Sequence, residues 1–486
     1  MLSSKVIDIL KSFSDEEFKK FPVFLNSPFH NKNKKAVQLF NILSPFHPTY
    51  DDKDLSKEFL YSKLFKEKNS TVEYNDASVR NLLSDLLILS EKYLAFINFE
   101  NDKFSFNESL LKALSERKLQ GAFERKVKSV EDTILTAEFS GEDDYFKKYL
   151  IEELKSANSQ FSDDLKLYKT NYLINASDYL TYYYLLRIFK MVNFFEWQKQ
   201  YNTDNPLTIA ESIVRGINIE ELIDKVKYKS AKDQMILTVY YYMYLALKNP
   251  DNEEMYFEFK KFLTKHCRLF SLLEQYGLYI CLTNSCVQKI DLGKTYFNNE
   301  CFSVYRIMLN KKLFESYPGY FSMTTFTAIV NTGISSGNYT EVEKFINEYS
   351  IKLHPVHRKD SENYALALLN FSRENYIKAL EYVSLTETEF TNFKYHLKII
   401  MLKSFYELSD YESLYYTADS FSHFLNKNKV VGKNYRKEFN SFIKALDLLV
   451  KYKSGKETKH FDRLCLFLKE RSFTGKSWIK EKLEKS

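Results

Sequence analysis

Between Thr324 and Asn426 one short phrase returns three times, as Ser336-Gly337-Asn338-Tyr339, Arg373-Glu374-Asn375-Tyr376 and Leu408-Ser409-Asp410-Tyr411. Its tyrosines stand 37 and 35 residues apart. Each phrase lies between segments whose apolar residues recur at helical spacing, so each reads as the tight turn of a helical hairpin. Hairpins at a fixed period mark a stacked helical array, because one pair cannot bury its apolar face alone. Outward from this stretch the pattern continues. Turn signals at Asn249-Pro250-Asp251, Leu292-Gly293 and Ser454-Gly455 extend the spacing at roughly 35 to 45 residues, the period of two-helix repeats. Ile236, Val239, Tyr240, Met243 and Leu247 form one apolar stripe, and Phe439, Phe442, Ile443, Leu446, Leu449 and Val450 another. Ser140-Gly141 and Asn202 to Pro206 mark earlier turns. Asp163 to Gln200 is long for one helix, and a break is expected near Ser177-Asp178. Glu315 to Ser322, with Pro318-Gly319, is the clearest interruption within the array.

Composition agrees. A chain of 486 residues with 11 Gly and 8 Pro holds roughly a third of ordinary Gly and Pro usage. Sheets, tight hairpins and phosphate loops need those residues, whereas long helices do not. The fold class is therefore all-α. Five Cys lack framework spacing and read as reduced thiols of a cytoplasmic protein. Met1 to Lys20 lacks an apolar signal core, and no uncharged run has the composition of a membrane span. Net charge is +6, but residues 427–486 hold 17 Lys/Arg against 7 Asp/Glu, so the remainder is slightly acidic.

Residues 1–105 read as a separate N-terminal helical bundle. Ser14 and Glu17 make a capping box, and Pro22 is expected to kink or stop the helix it opens. Leu25 to Asn31 is a loop, Pro45 and Pro48 close the next helix, and Ser56 opens a third. Asn75-Asp76 caps a helix so broadly apolar, from Leu82 to Leu94, that it should be the bundle's centre. Phe96 to Phe106 suits either a small β-hairpin around Asn101-Asp102 or a helix end followed by a loop.

The three best hairpins resemble divergent tetratricopeptide repeats. That family packs its two helices through a small residue in each, on either side of a Gly-x-Tyr-like turn. Ala367 and Ala379 match the small residues, and Gly337 and Tyr339 match the turn. Val330, Leu402, Val342 and Leu414 depart from the pattern with bulkier side chains. The chain is also similar over nearly its full length to a group of uncharacterised bacterial proteins, through Ser27 to Asn33 and Arg80 to Leu86. The resemblance implies a right-handed α-solenoid over residues 106–455, closed by a basic capping helix and tail at 456–486, and imports no activity.

Chemical motifs are sparse. The closest histidine pair, His354 and His357, lacks a second ligand pair for zinc. Thr474-Gly475-Lys476-Ser477 ends like a phosphate loop, without the upstream glycine or a preceding strand. The eight His are scattered singly, and no Gly-x-Ser-x-Gly occurs. No catalytic residue, metal ligand or cofactor site is assigned. The Lys459 to Glu470 segment, with Phe461, Leu464, Cys465 and Leu468 on one face, reads as an end cap or as a contact for nucleic acid. Lys32, Lys34, Lys35 and Arg80 read as a solvated basic loop or as part of a degenerate DNA-binding module.

The expected role is a non-enzymatic scaffold whose groove, lined by the first helix of each pair, binds a peptide or partner protein. Groove residues would be Thr327 and Asn331, Tyr364 and Phe371, and His396, Lys403 and Tyr406. Tyr364 and Phe371 equally suit packing between repeats. The alternative is a nucleic-acid-associated regulator that uses the basic C-terminal end.

Overall fold

The structure, a computed structural model, describes residues 4–52, 55–65, 74–135, 141–160, 170–199, 209–316, 319–386, 391–427, 433–455, 457–471 and 473–485. Among them the fold is all-α, with only an isolated parallel bridge between Phe321 and Leu353 outside the helices. The expected turn at Asn202 to Pro206 lies outside the described residues. The helices cluster into two compact units. One comprises Met1–Thr136 and Leu150–Ile174, the other Ala137–Tyr149 and Asn175–Ser486.

In the first unit, α1 (Lys5–Ser12), α2 (Asp15–Asn26), α3 (Lys34–Leu43) and α4 (Lys57–Phe65) all touch α5 (Asp76–Asn101). Leu82, Leu83, Leu86, Leu89 and Tyr93 of α5 are buried in one cluster with residues of the other four. The capping box forms: Ser14 Oγ accepts from Glu17 N, and Glu17 Oε2 accepts from Ser14 N at 2.8 Å. Pro22 does not stop α2, which runs four residues further and takes in Leu25 and Asn26, the first two residues of the expected loop. Losing one backbone hydrogen bond there costs about 3 kcal/mol, and burial of Phe21, Phe24 and Leu25 offsets it at about 2 kcal/mol per side chain. The β-hairpin around Asn101-Asp102 is also absent. Asp102 ends α5 and caps α6 (Lys103–Glu116), accepting from Phe104 N and Ser105 N at 3.1 and 3.2 Å. Helix α7 (Gln120–Leu135) and the later part of α8 (Glu142–Gln160) complete a small cluster around Leu111, Phe123 and Ile151.

The second unit begins with the first turns of α8 and most of α9 (Thr170–Lys199). The latter is continuous across Ser177-Asp178, where a break was expected. After α10 (Ile209–Gly216) and α11 (Ile219–Lys227), helices follow in pairs: α12 (Ala231–Lys248) with α13 (Glu253–His266), α14 (Leu272–Asp291) with α15 (Phe297–Asn310), and α16 (Met323–Ser335) with α17 (Tyr339–Tyr349). Then come α18 (Pro355–Ser372) with α19 (Tyr376–Ser384), α20 (Thr391–Glu407) with α21 (Tyr411–Lys427), and α22 (Lys433–Gly455) with α23 (Thr458–Glu470). Each second helix also touches the first helix of the next pair. In addition α12 reaches α14, α16 reaches α18, and α18 reaches α20. Apolar clusters run along this row, from Tyr145 to Leu369, through Tyr364 to Ile400, and on to Ile479. A last helix, α24 (Lys476–Glu484), packs on α22. Phe461, expected on the buried face of α23, is exposed against Tyr452, while Leu464 and Leu468 are buried.

The recurring phrase has one geometry. Gly337, Glu374 and Ser409 all adopt the left-handed conformation, with φ of 73°, 63° and 57°. Behind each, the following amide donates to a carbonyl five residues back: Asn338 to Gly333, Asn375 to Asn370 and Asp410 to Phe405, all at 2.9 Å. This is a helix end closed by a left-handed residue. Glycine takes that conformation freely, so Glu374 and Ser409 each carry a cost of about 1 kcal/mol. Ala367 and Ala379 are buried together in one cluster. In the preceding pair the closest approach lies at Gly333, which sequence reading passed over. A Cβ there would stand 2.4 Å from Val342 Cγ2 and 2.7 Å from Phe302 Cε2.

Candidate partner-binding site

The seven groove residues do not form one open wall. Thr327 turns back on its own helix, its hydroxyl donating to Met323 O and Thr324 O. Asn331 is exposed, with its side chain beside the Tyr364 hydroxyl. Tyr364 is 3% exposed, and burial pushes its phenol up to about 12. Its ring lies 6.4 Å from His396, whose ring lies 6.5 Å from Phe439. Asn331, Tyr364 and His396 thus make a line across α16, α18 and α20 that ends on α22. Part of His396 reaches solvent, yet the surrounding protein and the nearby Lys403 charge hold its pKa below the usual imidazole value.

Lys403 and Tyr406 meet the chain's own last helix, and Phe371 joins them through the Lys403 ammonium. The Lys403 ammonium lies 5.3 Å from the Trp478 ring and 6.0 Å from the rings of Phe371 and Phe442. Tyr406 is 2% exposed, beneath Trp478 at 5.3 Å and the Lys453 ammonium at 4.6 Å. Lys482 pairs with Glu407 at 2.6 Å, and Ile479 is fully buried. Helix α24 therefore crosses both α20 and α22 and covers positions that sequence reading assigned to a partner. The available signal was Trp478, Ile479, Lys482 and Leu483, which stand at helical spacing in a stretch read only as a tail. The turn before α24 is held by Thr474 Oγ1, which donates to Glu438 Oε2 at 2.9 Å.

Burial pushes Lys403 down to about 8, against the opposing pull of Glu407 and Glu481. A folded pKa below the ordinary 10.5 means the folded state disfavours the charged amine. That penalty is present in full below about pH 8 and is relieved as pH rises from about 8 towards 10.5. Lys403→Met should accordingly be more stable than the parent at pH 7, by roughly 1 kcal/mol because the ammonium is partly solvated. The difference should shrink through the same window in urea melts. A pH-independent difference would contradict this account.

The open part of the second unit lies further back along the row. A cleft of about 870 Å³ is walled by the starts of α8 and α14, by α9 and α12, and by the first turns of α16. Its α14 wall carries Leu273, Gly277, Ile280 and Asn284 at helical spacing. Leu273 and Gly277 are exposed. The lining also holds a charge network, which Glu274 anchors on α14 itself. Lys190 pairs with Glu142 at 3.0 Å and with Glu274 at 2.9 Å, and Arg187 pairs with Glu142 at 3.0 Å. The Tyr240 hydroxyl donates to Glu274 at 2.6 Å. Burial opposes the charge on Lys190, but Glu274 and Glu142 outweigh it and hold its pKa above the ordinary lysine value.

This network ties charges to one another more than it arms any of them. Cys281 lines the cleft, but burial pushes its thiol up to about 12, so it stays protonated and weakly nucleophilic. Among the described residues no group of three His, Cys, Asp or Glu is placed to hold a metal ion. His354 Nδ1 accepts from Val356 N at 3.3 Å and so serves as the cap of α18. No helix among the described residues is long and apolar enough to cross a membrane. No protein-family model, curated protein or solved structure matches this chain.

Proposed function

We propose that this chain is a right-handed α-solenoid of tetratricopeptide-like hairpins, preceded by a helical bundle, that acts in the cytoplasm as a non-enzymatic scaffold. In this reading it binds an extended or helical segment of a partner protein in the cleft beside α14. Three turns of one geometry and the stepwise contacts from α12 to α20 support the repeat architecture. The observation that carries the binding reading is Gly277. A glycine inside a helix costs about 1 kcal/mol relative to alanine, and a Cβ at Gly277 would meet nothing within 4 Å. Nothing in the packing of the described residues asks for glycine there. A partner backbone lying close against α14 would. Leu273 and Ile280 offer apolar contact on either side of it, and the charge network around Lys190 offers polar contact in the same cleft.

Two substitutions test this together. Gly277→Ala should raise the unfolding free energy by up to about 1 kcal/mol. Gly277→Leu should fold and fill the cleft, so that a protein co-purifying with the tagged parent after nuclease treatment falls at least tenfold. Equal recovery with Gly277→Leu would remove the cleft as the site. The basic end supports the nucleic-acid alternative less well, because Lys451, Lys482 and Lys485 are paired with Asp447, Glu407 and Glu481.

A further inference from the structure

The loop between α2 and α3 holds an aromatic ring in water on a rigid frame. Asn31 builds that frame: its Nδ2 donates to Leu25 O at 2.9 Å and to Asn33 O at 3.1 Å, and its Oδ1 accepts from Asn33 N at 2.7 Å. His30 N and Asn31 N both donate to Ser27 O. Asn33 Nδ2 ties the loop to α5 through Asp85 at 2.8 Å. The His30 ring stacks on Phe24 at 4.2 Å and leans on Phe96 at 5.2 Å. Ser27, His30, Asn31 and Asn33 are thus fixed around Phe29, yet Phe29 itself is 89% exposed. Burying such a ring is worth about 2 kcal/mol, and among the described residues only the edge of His30 meets it.

Phe29 does not stand alone. Its ring meets His30 edge-on at 5.0 Å, and His30 leads to Phe96. Phe99 follows one turn along α5, and Phe106 of α6 lies 5.7 Å from it. All three of these phenylalanines are exposed. At the Phe29 end, Lys32 and Lys34 are exposed and make no ion pair among the described residues. An isolated exposed phenylalanine is ordinary, but a preorganised one continuous with three more and flanked by unpaired lysines has the anatomy of a binding hot spot.

We infer that the Ser27–Asn33 loop, with Lys34 and the aromatic strip on α5 and α6, is a second docking surface for a protein that offers an apolar pocket rimmed by carboxylates. The ordering entropy of the loop is already spent in the free chain, so the ring binds at low further cost. The lysines attract the acidic rim and set the approach. The acidic rim meets the Phe29 end, whereas Glu100, Asp102 and Lys103, exposed between Phe99 and Phe106, give the other end mixed charge, which suits the varied surface of a protein better than a uniformly anionic bilayer or phosphate backbone.

The test places the photoreactive residue benzoylphenylalanine at position 29 of the full chain, in the cells that make it, and identifies the adduct by mass spectrometry. The expected adduct is one segment of one protein, apolar and bordered by Asp or Glu. Its yield should fall roughly tenfold with Lys32→Glu and Lys34→Glu together. Adducts to lipid, adducts scattered over unrelated proteins, no adduct, or a yield indifferent to the charge reversal would each overturn the inference. Because all three positions are exposed, an unchanged melting temperature is expected for these variants, which separates lost docking from lost folding.

Discussion

Lys190→Met is expected to lower the unfolding free energy by about 3 kcal/mol. In the parent, Lys190 compensates two carboxylates at once, and both are largely withdrawn from water, with side chains 7% exposed at Glu142 and 18% at Glu274. Removing the amine leaves Glu142 paired with Arg187, which is itself largely exposed, and Glu274 with the Tyr240 hydroxyl, a neutral donor. The larger part of the loss is the cost of a carboxylate left without a counter-charge. The double variant Lys190→Met/Glu274→Gln should therefore recover at least half of the loss in a urea melt, and equal instability of single and double variants would refute the account. The pH dependence has a definite sign. Because the Lys190 pKa is raised by folding, its contribution is fully present below the unfolded value of 10.5 and is lost as pH climbs through the folded value. The parent should lose its advantage over Lys190→Met only in strongly alkaline buffer.

Gly333→Ala is expected to cost about 2 kcal/mol, although alanine is the better helix former. The new methyl would fall 2.4 Å from Val342 and 2.7 Å from Phe302, both buried, so three helices would have to move apart. Helical propensity returns about 1 kcal/mol of a larger steric penalty. Val342→Ala opens space at the same spot, so the two substitutions together should be less damaging than the sum of each, by 1 kcal/mol or more in a double-mutant cycle. Simple additivity would show that the contact at Gly333 is not the cause.

The helices were legible because their determinants are local. Ser14 with Glu17, Asn75, and the stripe from Ile236 to Leu247 each encode an end or a face within one or two turns. The misreadings share a cause. Pro22 does not stop α2 and Ser177-Asp178 does not break α9: both carry local signals against helix, and burial of the surrounding side chains outweighs them. The repeated turn was visible through Gly337, while Glu374 and Ser409 gave no hint that they too are left-handed. In the candidate site, spacing along α16, α18 and α20 brings Asn331, Tyr364 and His396 into one line. Nothing in that spacing reveals that α24 returns over Lys403 and Tyr406, because the return is a long-range contact. The cleft beside α14 was out of reach for the same reason: Lys190 and Glu274 are 84 residues apart.

The return of α24 gives the molecule a built-in optical signal. Trp478 is one of only two tryptophans, and it sits against Tyr406, Phe442 and the Lys403 ammonium. An indole in such a setting emits with a wavelength and intensity that change when water replaces its neighbours. With Trp197 replaced by phenylalanine, the remaining fluorescence would report whether the last helix is seated or lifted, in real time and without a label.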